Sequence, residues 1–391
     1  MREAKPARSR QDGGPANGRL GWLLAGAGIG GLVVAALVEP SAARSAASQD
    51  WPPFVLVAGL LLIGLVADDD GLFAAAGRLL ARVAPSGAVL FAGAAVVVGG
   101  VTAVLNLDTS VAFLTPVLVY TARNRGEDDS PLLYGCLLLS NAGSLFLPGS
   151  NLTNLIVLGH LHLTGGQFLA RMWAPALSAL VVTALVVAGA ERPHLMVRRE
   201  PPAAPVQPRL GLGIVAVGTA IGLVIALPSP ALPVAAVGVA VAGSRLLGGS
   251  RRLVDVVRLL GLPVLVGLFG VAVALGALGR TWSGPATLLS HVDVWGTAAV
   301  AAIASVAVNN LPAASLFAAR VPPHPFALLV GLNLGPNLFV TGSLAWFLWL
   351  RAARAAGSRP SIPRASLLGF VAVPLSVLVA LSLLQLTMGS S

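Results

Sequence analysis

The chain has 391 residues, of which 56% are hydrophobic and only 10% charged, with 45 Gly and 28 Pro. Those proportions exclude an ordinary soluble domain. The formal charge of +10 does not mark a nucleic-acid binder, because the basic residues are scattered through short loops with no aromatic-studded basic face.

Residues 1–19 are basic and rich in Gly and Pro and read as a cytoplasmic tail. No convincing small-residue cleavage site follows the first apolar run, 20–38, so a retained span is preferred to a cleaved signal peptide. A helix needs about 20 mostly apolar residues to cross the hydrocarbon core. Further runs at 54–67, 87–105, 110–121, 131–147, 151–163 and 168–190 complete a first membrane half, 20–190. Residues 70–85, with Arg78 and Arg82, are too charged to cross and read as an amphipathic helix on the cytoplasmic surface. Residues 191–209, dense in Pro and Arg, form a cytoplasmic linker. The second half, 210–391, offers 210–227, 231–243, 260–279, 292–308, 311–319, 325–335, 338–350 and 366–386, with 281–291 as the counterpart of the amphipathic helix. The expected fold is an all-α polytopic membrane protein with about ten membrane segments.

Several runs are too short to span alone, and the short ones fall in corresponding places. In the first half the polar knot Asn106-Leu107-Asp108-Thr109-Ser110 splits a re-entrant hairpin, 87–121, and Asn309-Asn310-Leu311-Pro312 splits a second, 292–320. Leu147-Pro148-Gly149-Ser150-Asn151 interrupts a helix over 131–163, and Asn333-Leu334-Gly335-Pro336-Asn337 interrupts one over 325–350. The stretches SNAGSLFLPGSNL and LNLGPNLFVTGSL align loosely, placing Asn141 over Asn333, Gly143 over Gly335 and Gly149-Ser150 over Gly342-Ser343. That is a faint internal repeat.

Charge orients the halves. With the N-terminus cytoplasmic, two spans precede the first hairpin and three precede the second, so the hairpins enter from opposite faces and the repeats are inverted. This layout puts 21 of the 25 Lys and Arg inside and leaves Arg44, Arg171, Arg280 and Arg320 outside, with an uncharged C-terminus also outside.

Hydrocarbon offers no water to bare backbone, so the four breaks are expected to meet inside the protein. Their helix N-termini would favour an anion and their carbonyl ends a cation. The alternative is that Pro148, Pro312 and Pro336 only kink packed helices while Asn and Ser satisfy freed backbone groups; four breaks in symmetric positions weigh against it. Asp108 reads as the only acid deep within an apolar pattern. A carboxyl at the bilayer centre costs about 3 kcal/mol and marks ion or proton paths. Its competing role is a hairpin cap.

Other chemistries fare worse. Cys136 is alone, which excludes a disulfide framework, and the His160-Leu161-His162 pair has no nearby acids to complete a metal set. The run Asp68-Asp69-Asp70 suggests a magnesium motif of membrane prenyltransferases, but Glu127-Asp128-Asp129 lies in an Arg-containing loop rather than on a facing helix. Ser150 and Ser343 follow Gly, yet no histidine sits at matching depth for an intramembrane protease. A membrane-embedded enzyme is thus the disfavoured class.

At its breaks the chain resembles the ion transporter superfamily, in particular the arsenite permease and sodium/proton antiporter branch with its citrate transporter-like domain. The likeness lies in TAVLNLDTSVAFLTPVLV (102–119), SNAGSLFLPGSNLTNLIVLG (140–159), VAVNNLPAASL (306–316) and GLNLGPNLFVTGSLAWFLWLR (331–351). It implies two inverted repeats forming a mobile domain that carries solute past a fixed scaffold in the bacterial inner membrane. It points to Asn106, Asp108, Thr109, Asn309 and Asn310 at the tips and to Ser150, Asn151, Asn154, Asn333, Asn337, Thr341 and Ser343 in the broken helices. The first tip departs from the Asn-Asp-Gly usual in arsenite permeases, and the twin Ser-Asn-Thr tips of dicarboxylate symporters are absent. The expected function is secondary transport, foremost arsenite or antimonite efflux coupled to protons through Asp108. The alternatives are sodium/proton antiport and sodium-coupled uptake of a carboxylate or inorganic anion. No cofactor beyond H+ or Na+ is expected; a homodimer and an ATPase subunit are partners that the resemblance leaves open.

Overall fold

The computed structural model describes residues 15–161, 163–196, 211–249 and 251–388. Most of the expected tail and linker, His162 and the last three residues lie outside the described residues. The described residues form helices and turns throughout, with no strand.

The first half opens with α1 (Pro15–Val38), α2 (Pro40–Asp69) and the short amphipathic α3 (Leu72–Val83). A hairpin follows, α4 (Gly87–Val104) and α5 (Leu107–Asn124), joined through Leu105 and Asn106. Next comes an interrupted helix: α6 (Ser130–Gly143), a 3-10 turn at Pro148–Ser150, and α7 (Leu152–Leu158). α8 (Gly165–Ala190) and the single turn α9 (Arg192–Leu195) close the half. The second half repeats the order. α10 (Leu212–Ala226), α11 (Ala231–Leu247), α12 (Leu253–Leu260), α13 (Leu262–Thr281) and the seven-residue α14 (Gly284–Ser290) lead to a hairpin of α15 (Val294–Val308) and α16 (Asn310–Phe317). The second interrupted helix is α17 (Pro325–Leu334), a 3-10 turn at Gly335–Asn337, and α18 (Leu344–Ala355); α19 (Ile362–Met388) ends the chain.

Six described helical stretches are long and apolar enough to cross a membrane: Gly21–Val38, Pro40–Asp69, Gly87–Val104, Gly165–Ala190, Leu253–Thr281 and Ile362–Thr387. Val96, Leu185 and Leu386 point outward from such helices, as lipid-facing residues do. The first leg of the first broken helix is enclosed by its neighbours: every residue of α6 from Pro131 to Gly143 is buried. That is where backbone interruptions can survive.

Two expectations about acids change. Asp108 is only half-buried, whereas Asp50 is 2% exposed and Glu191 is fully buried. The polar stretch before residue 54 is not a flank: α2 runs unbroken through Pro52 and Pro53, which carries Asp50 into the packing between α2 and α13. Glu191 is buried because Arg364 and His194 both pair with it, at 2.9 and 3.0 Å. The run at the end of α2 is tied down by arginines: Asp69 pairs with Arg251, and Asp70 pairs with Arg245 and accepts the Gly213 N–H at 2.7 Å.

Each hairpin packs its first leg on the first leg of its own interrupted helix, through glycines that the repeat had aligned. A Cβ on Gly143 would lie 3.1 Å from Gly99 Cα, and one on Gly335 would lie 2.5 Å from Ala302 Cα and Ser305 Oγ. The second legs cross over: α5 packs on α18, and α16 packs on α7. The halves are therefore interleaved. Gly335→Ala should lower the melting temperature in detergent, at a cost of about 1–3 kcal/mol for forced overpacking. Gly100→Ala, with open space around it, should leave the melting temperature unchanged.

Candidate functional site

The hairpin tips share one backbone feature. Asn106 (φ 136°) and Asn309 (φ 78°) are the only described residues other than glycine with positive φ. L-residues rarely adopt this region, Asn tolerates it better than most, and such strain collects at functional sites. Each asparagine caps the helix it starts: Asn106 Oδ1 accepts the Thr109 N–H at 2.8 Å, and Asn309 Oδ1 accepts that of Leu311 at 3.4 Å.

At the first tip the acid lies inside the helix, one turn of which begins at Leu107. Asp108 is half-buried and makes no hydrogen bond or ion pair. On the same hairpin, Asn106 Nδ2, Thr109 Oγ1 and Thr102 Oγ1 are buried without partners. Ser110 Oγ lies 3.3 Å from Ser140 Oγ, which fastens α5 to α6.

The second tip rests on the second broken helix. Asn309 Nδ2 donates to Thr341 O at 3.0 Å, the Asn310 N–H donates to Gly342 O at 2.9 Å, and Thr341 Oγ1 donates to Val306 O at 2.7 Å. The Asn310 side chain is buried yet makes no side-chain hydrogen bond, and the neighbouring Ser343 Oγ is buried and unpartnered. With the two tip asparagines superposed by register, Leu311 stands where the first tip has Asp108. Only one tip carries a carboxyl.

Between the tips the two breaks are bonded to each other. Asn333 Oδ1 accepts from Ser144 Oγ at 2.5 Å and from Asn151 Nδ2 at 2.8 Å, while its Nδ2 donates to Asn154 Oδ1 at 2.7 Å and Leu329 O at 2.8 Å. Asn141 Nδ2 donates to Asn337 Oδ1 at 2.8 Å, and Asn337 Nδ2 reaches Leu138 O at 3.1 Å. Freed carbonyls are taken up as well. Ser150 Oγ and Asn154 Nδ2 both bind Ser144 O and Leu147 O, and Trp346 Nε1 donates to Pro336 O at 2.7 Å. Trp346 and Trp349 are fully buried and meet edge to face, centroids 5.8 Å apart.

The twelve residues singled out in the sequence thus fall into two groups. Ser150, Asn151, Asn154, Asn333 and Asn337 spend their polar atoms on one another and on the broken backbone, and Asn309 and Thr341 fasten the second tip. Asn106, Asp108, Thr109, Asn310 and Ser343 keep free polar atoms. No hydrogen bond links the two tips, and only the second is bonded to the break of its own half, through Asn309, Asn310 and Thr341.

Three participants were not read as site residues. Asn141 was visible, since it aligns with Asn333, and its Oδ1 is buried without a partner. Ser144 and Trp346 gave no signal beyond lying in the interrupted stretches. The cap equivalence also shifts by one residue. Asn151 (φ −151°, ψ 140°) and Ser343 (φ −153°, ψ 161°) are the matching N-caps of α7 and α18, so Ser150 is not the counterpart of Ser343.

Comparison with known proteins agrees with this architecture. The chain is 27% identical over 327 residues to the inner membrane protein YbiR of Escherichia coli (strain K12), covering 78% of this chain and 81% of that one. Its fold resembles the crystal structure of the YdaH transporter of Alcanivorax borkumensis, with a TM-score of 0.55 at 16% identity over 89% of this chain and 88% of that one. The family model described as citrate transporter matches residues 22–331, most of the chain and both hairpins but not the last broken helix in full. The protein is a multi-pass membrane transporter and belongs to the citrate transporter family.

Proposed function

We propose that this chain is a secondary transporter of a small neutral or monovalent solute, driven by a cation or proton carried on Asp108. The single observation that carries this reading is the free set at the tips: one unpaired carboxyl beside the unpartnered polar atoms of Asn106 and Thr109, with Asn310 and Ser343 at the other tip. An unpaired acid within membrane helices marks a candidate ion or proton site. Its position in the first turn of α5 lets the helix dipole stabilise the charged form between loading events.

The solute class follows from what else lines the breaks. No Arg, Lys or His takes part in the hydrogen bonds around either tip or the interlocked breaks among the described residues. Amides, hydroxyls and helix termini suit a compact hydroxylated solute, and a polyanion would arrive without a compensating cation. Arsenite and antimonite, whose acids are uncharged near neutral pH, fit best, with proton-coupled efflux as the direction. Family membership supports a second reading, sodium-coupled movement of a carboxylate, in which helix N-termini do the work of the missing cation. Sodium/proton antiport is a third use of the same carboxyl.

The interlocked asparagines make the breaks one rigid body. We take this body, with its two hairpins, to move against α1, α2, α8, α10, α11, α13 and α19 in an elevator-type alternation between faces. The two halves are then inverted repeats, with most arginines on the cytoplasmic side.

Flux in proteoliposomes against arsenite, sodium, citrate and sulfate ranks these readings. Asp108→Asn should keep the fold and cut pH-driven flux of the accepted solute by about tenfold or more; full coupled flux in that variant would remove Asp108 from the mechanism. Asn333→Ala should behave differently and destabilise the protein by at least about 2 kcal/mol, because each stranded buried polar group costs about 1–3 kcal/mol. A thermal melt in detergent followed by tryptophan fluorescence separates the two effects.

A further inference from the structure

A second polar cluster sits at the end of the molecule that carries Arg280 and Arg320, away from the interlocked breaks. α2 contributes two adjacent side chains to it, Gln49 and Asp50. Gln49 Nε2 donates to Ile156 O at 3.0 Å and to Ala318 O at 3.2 Å. The first carbonyl belongs to the last turn of α7, the closing leg of a broken helix; the second directly follows α16, the closing leg of a hairpin. His160 Nε2 also meets Ala318 O, at 3.0 Å. Helix C-termini leave carbonyls without intrahelical partners and bear partial negative charge. One amide group therefore caps two helix ends drawn from different halves of the chain.

That amide is held in turn. Its Oε1 accepts a hydrogen bond from Arg280 Nη2, on the last turn of α13. Arg280 Nη1 donates to Gly276 O at 2.8 Å, and Arg320 Nη2 donates to Arg280 O at 2.8 Å. Beside the guanidinium lies Asp50, 2% exposed, with no hydrogen bond and no ion pair. Arg280 is the cation whose field acts on it. A Cβ on Gly276 would lie 3.2 Å from Arg280 Nη1 and 3.8 Å from Asp50 Oδ2, so both groups border the same small residue without touching each other. An unpaired buried carboxyl is costly, and direct pairing with Arg280 would relieve that cost.

We propose that Gln49 and Arg280 form a latch holding the ends of α7 and α16 to α2 and α13, and that on release Arg280 exchanges Gln49 for Asp50. The proposal rests on the alternating-access reading, in which α7 and α16 move while α2 and α13 stay. The exchange needs no ligand, because both partners of the guanidinium are side chains of α2. It makes the device two-state, with each position offering the guanidinium one good partner. Two substitutions on adjacent residues should then act with opposite signs. Gln49→Ala removes the group that holds the closed position, and Asp50→Asn weakens the partner that awaits Arg280 in the open one.

The test uses the full chain with Cys136→Ser and a probe cysteine at Ser315, which is buried in α16 one turn before Ala318. The protein is reconstituted in proteoliposomes, and a charged thiol reagent is applied to each side separately. Gln49→Ala should speed labelling of the probe from one side by at least about fivefold, and Asp50→Asn should slow it by a similar factor, the lower range of measured couplings between states. Unchanged labelling in Gln49→Ala, or a shift of the same sign in both variants, overturns the latch. Gln49 is half-buried and its replacement by Ala leaves the helix intact, so that arm decides the matter even where Asp50→Asn does not fold. Labelling needs no transported solute: a Gln49→Ala response in a chain that moves nothing from the flux panel would sink the transport reading and leave the latch standing.

Discussion

Wherever a helix stops at membrane depth, its last carbonyls and the first N–H groups of the next helix lose their partners, and hydrocarbon supplies none. This chain stops two helices there and answers with asparagine. Asn333 fills all four of its hydrogen-bonding positions, reaching Ser144, Asn151 and Asn154 of the opposite half and its own Leu329 carbonyl. The pair of Asn141 and Asn337 repeats the solution across the same crossing. Asn is suited to it, since one short side chain both donates and accepts. A fully satisfied buried network is also rigid, because breaking one bond strands several others.

Rigidity at the breaks explains where freedom is left. Once the central asparagines bond one another, polar atoms without partners remain at the hairpin tips. There the backbone adopts positive φ at Asn106 and Asn309, and each cap uses the acceptor oxygen of its asparagine. The first tip adds a half-buried carboxyl, the second an amide and a hydroxyl. On the proposed function, the same division separates residues that hold the protein together from residues offered to the solute, although both kinds are Asn, Ser and Thr.

The interleaving of halves has a mechanical meaning. α5 packs on α18 and α16 on α7, so neither half closes its own core, and a displacement of one broken helix must carry the other. Contacts to the outer helices are of another kind: glycine-lined approaches and a few polar ties, of which the Gln49 and Arg280 cluster is the densest at its end of the molecule. On the alternating-access motion proposed above, polar ties that swap partners at little cost suit a sliding boundary, and a welded network suits the body that slides.

The sequence by itself determined the class of protein, the number and kind of interruptions and their pairing. Hydropathy run lengths are set by bilayer thickness, and Pro, Gly and Asn in an apolar run have few other uses. Asn106, Asn309 and the glycines that let hairpin legs approach were all legible for that reason. Only tertiary structure decided which polar atoms are spent. Asn333 and Asn310 look alike in the sequence, yet one is saturated by the opposite half and the other is free, a difference made by partners nearly two hundred residues away. Asp50 was hidden for the same reason: flanked by Gln, Trp and Pro it resembles the end of a span, and only its packing against α13 buries it. Local pattern reports what a segment must hide; the partners that let a polar group be hidden come from the fold.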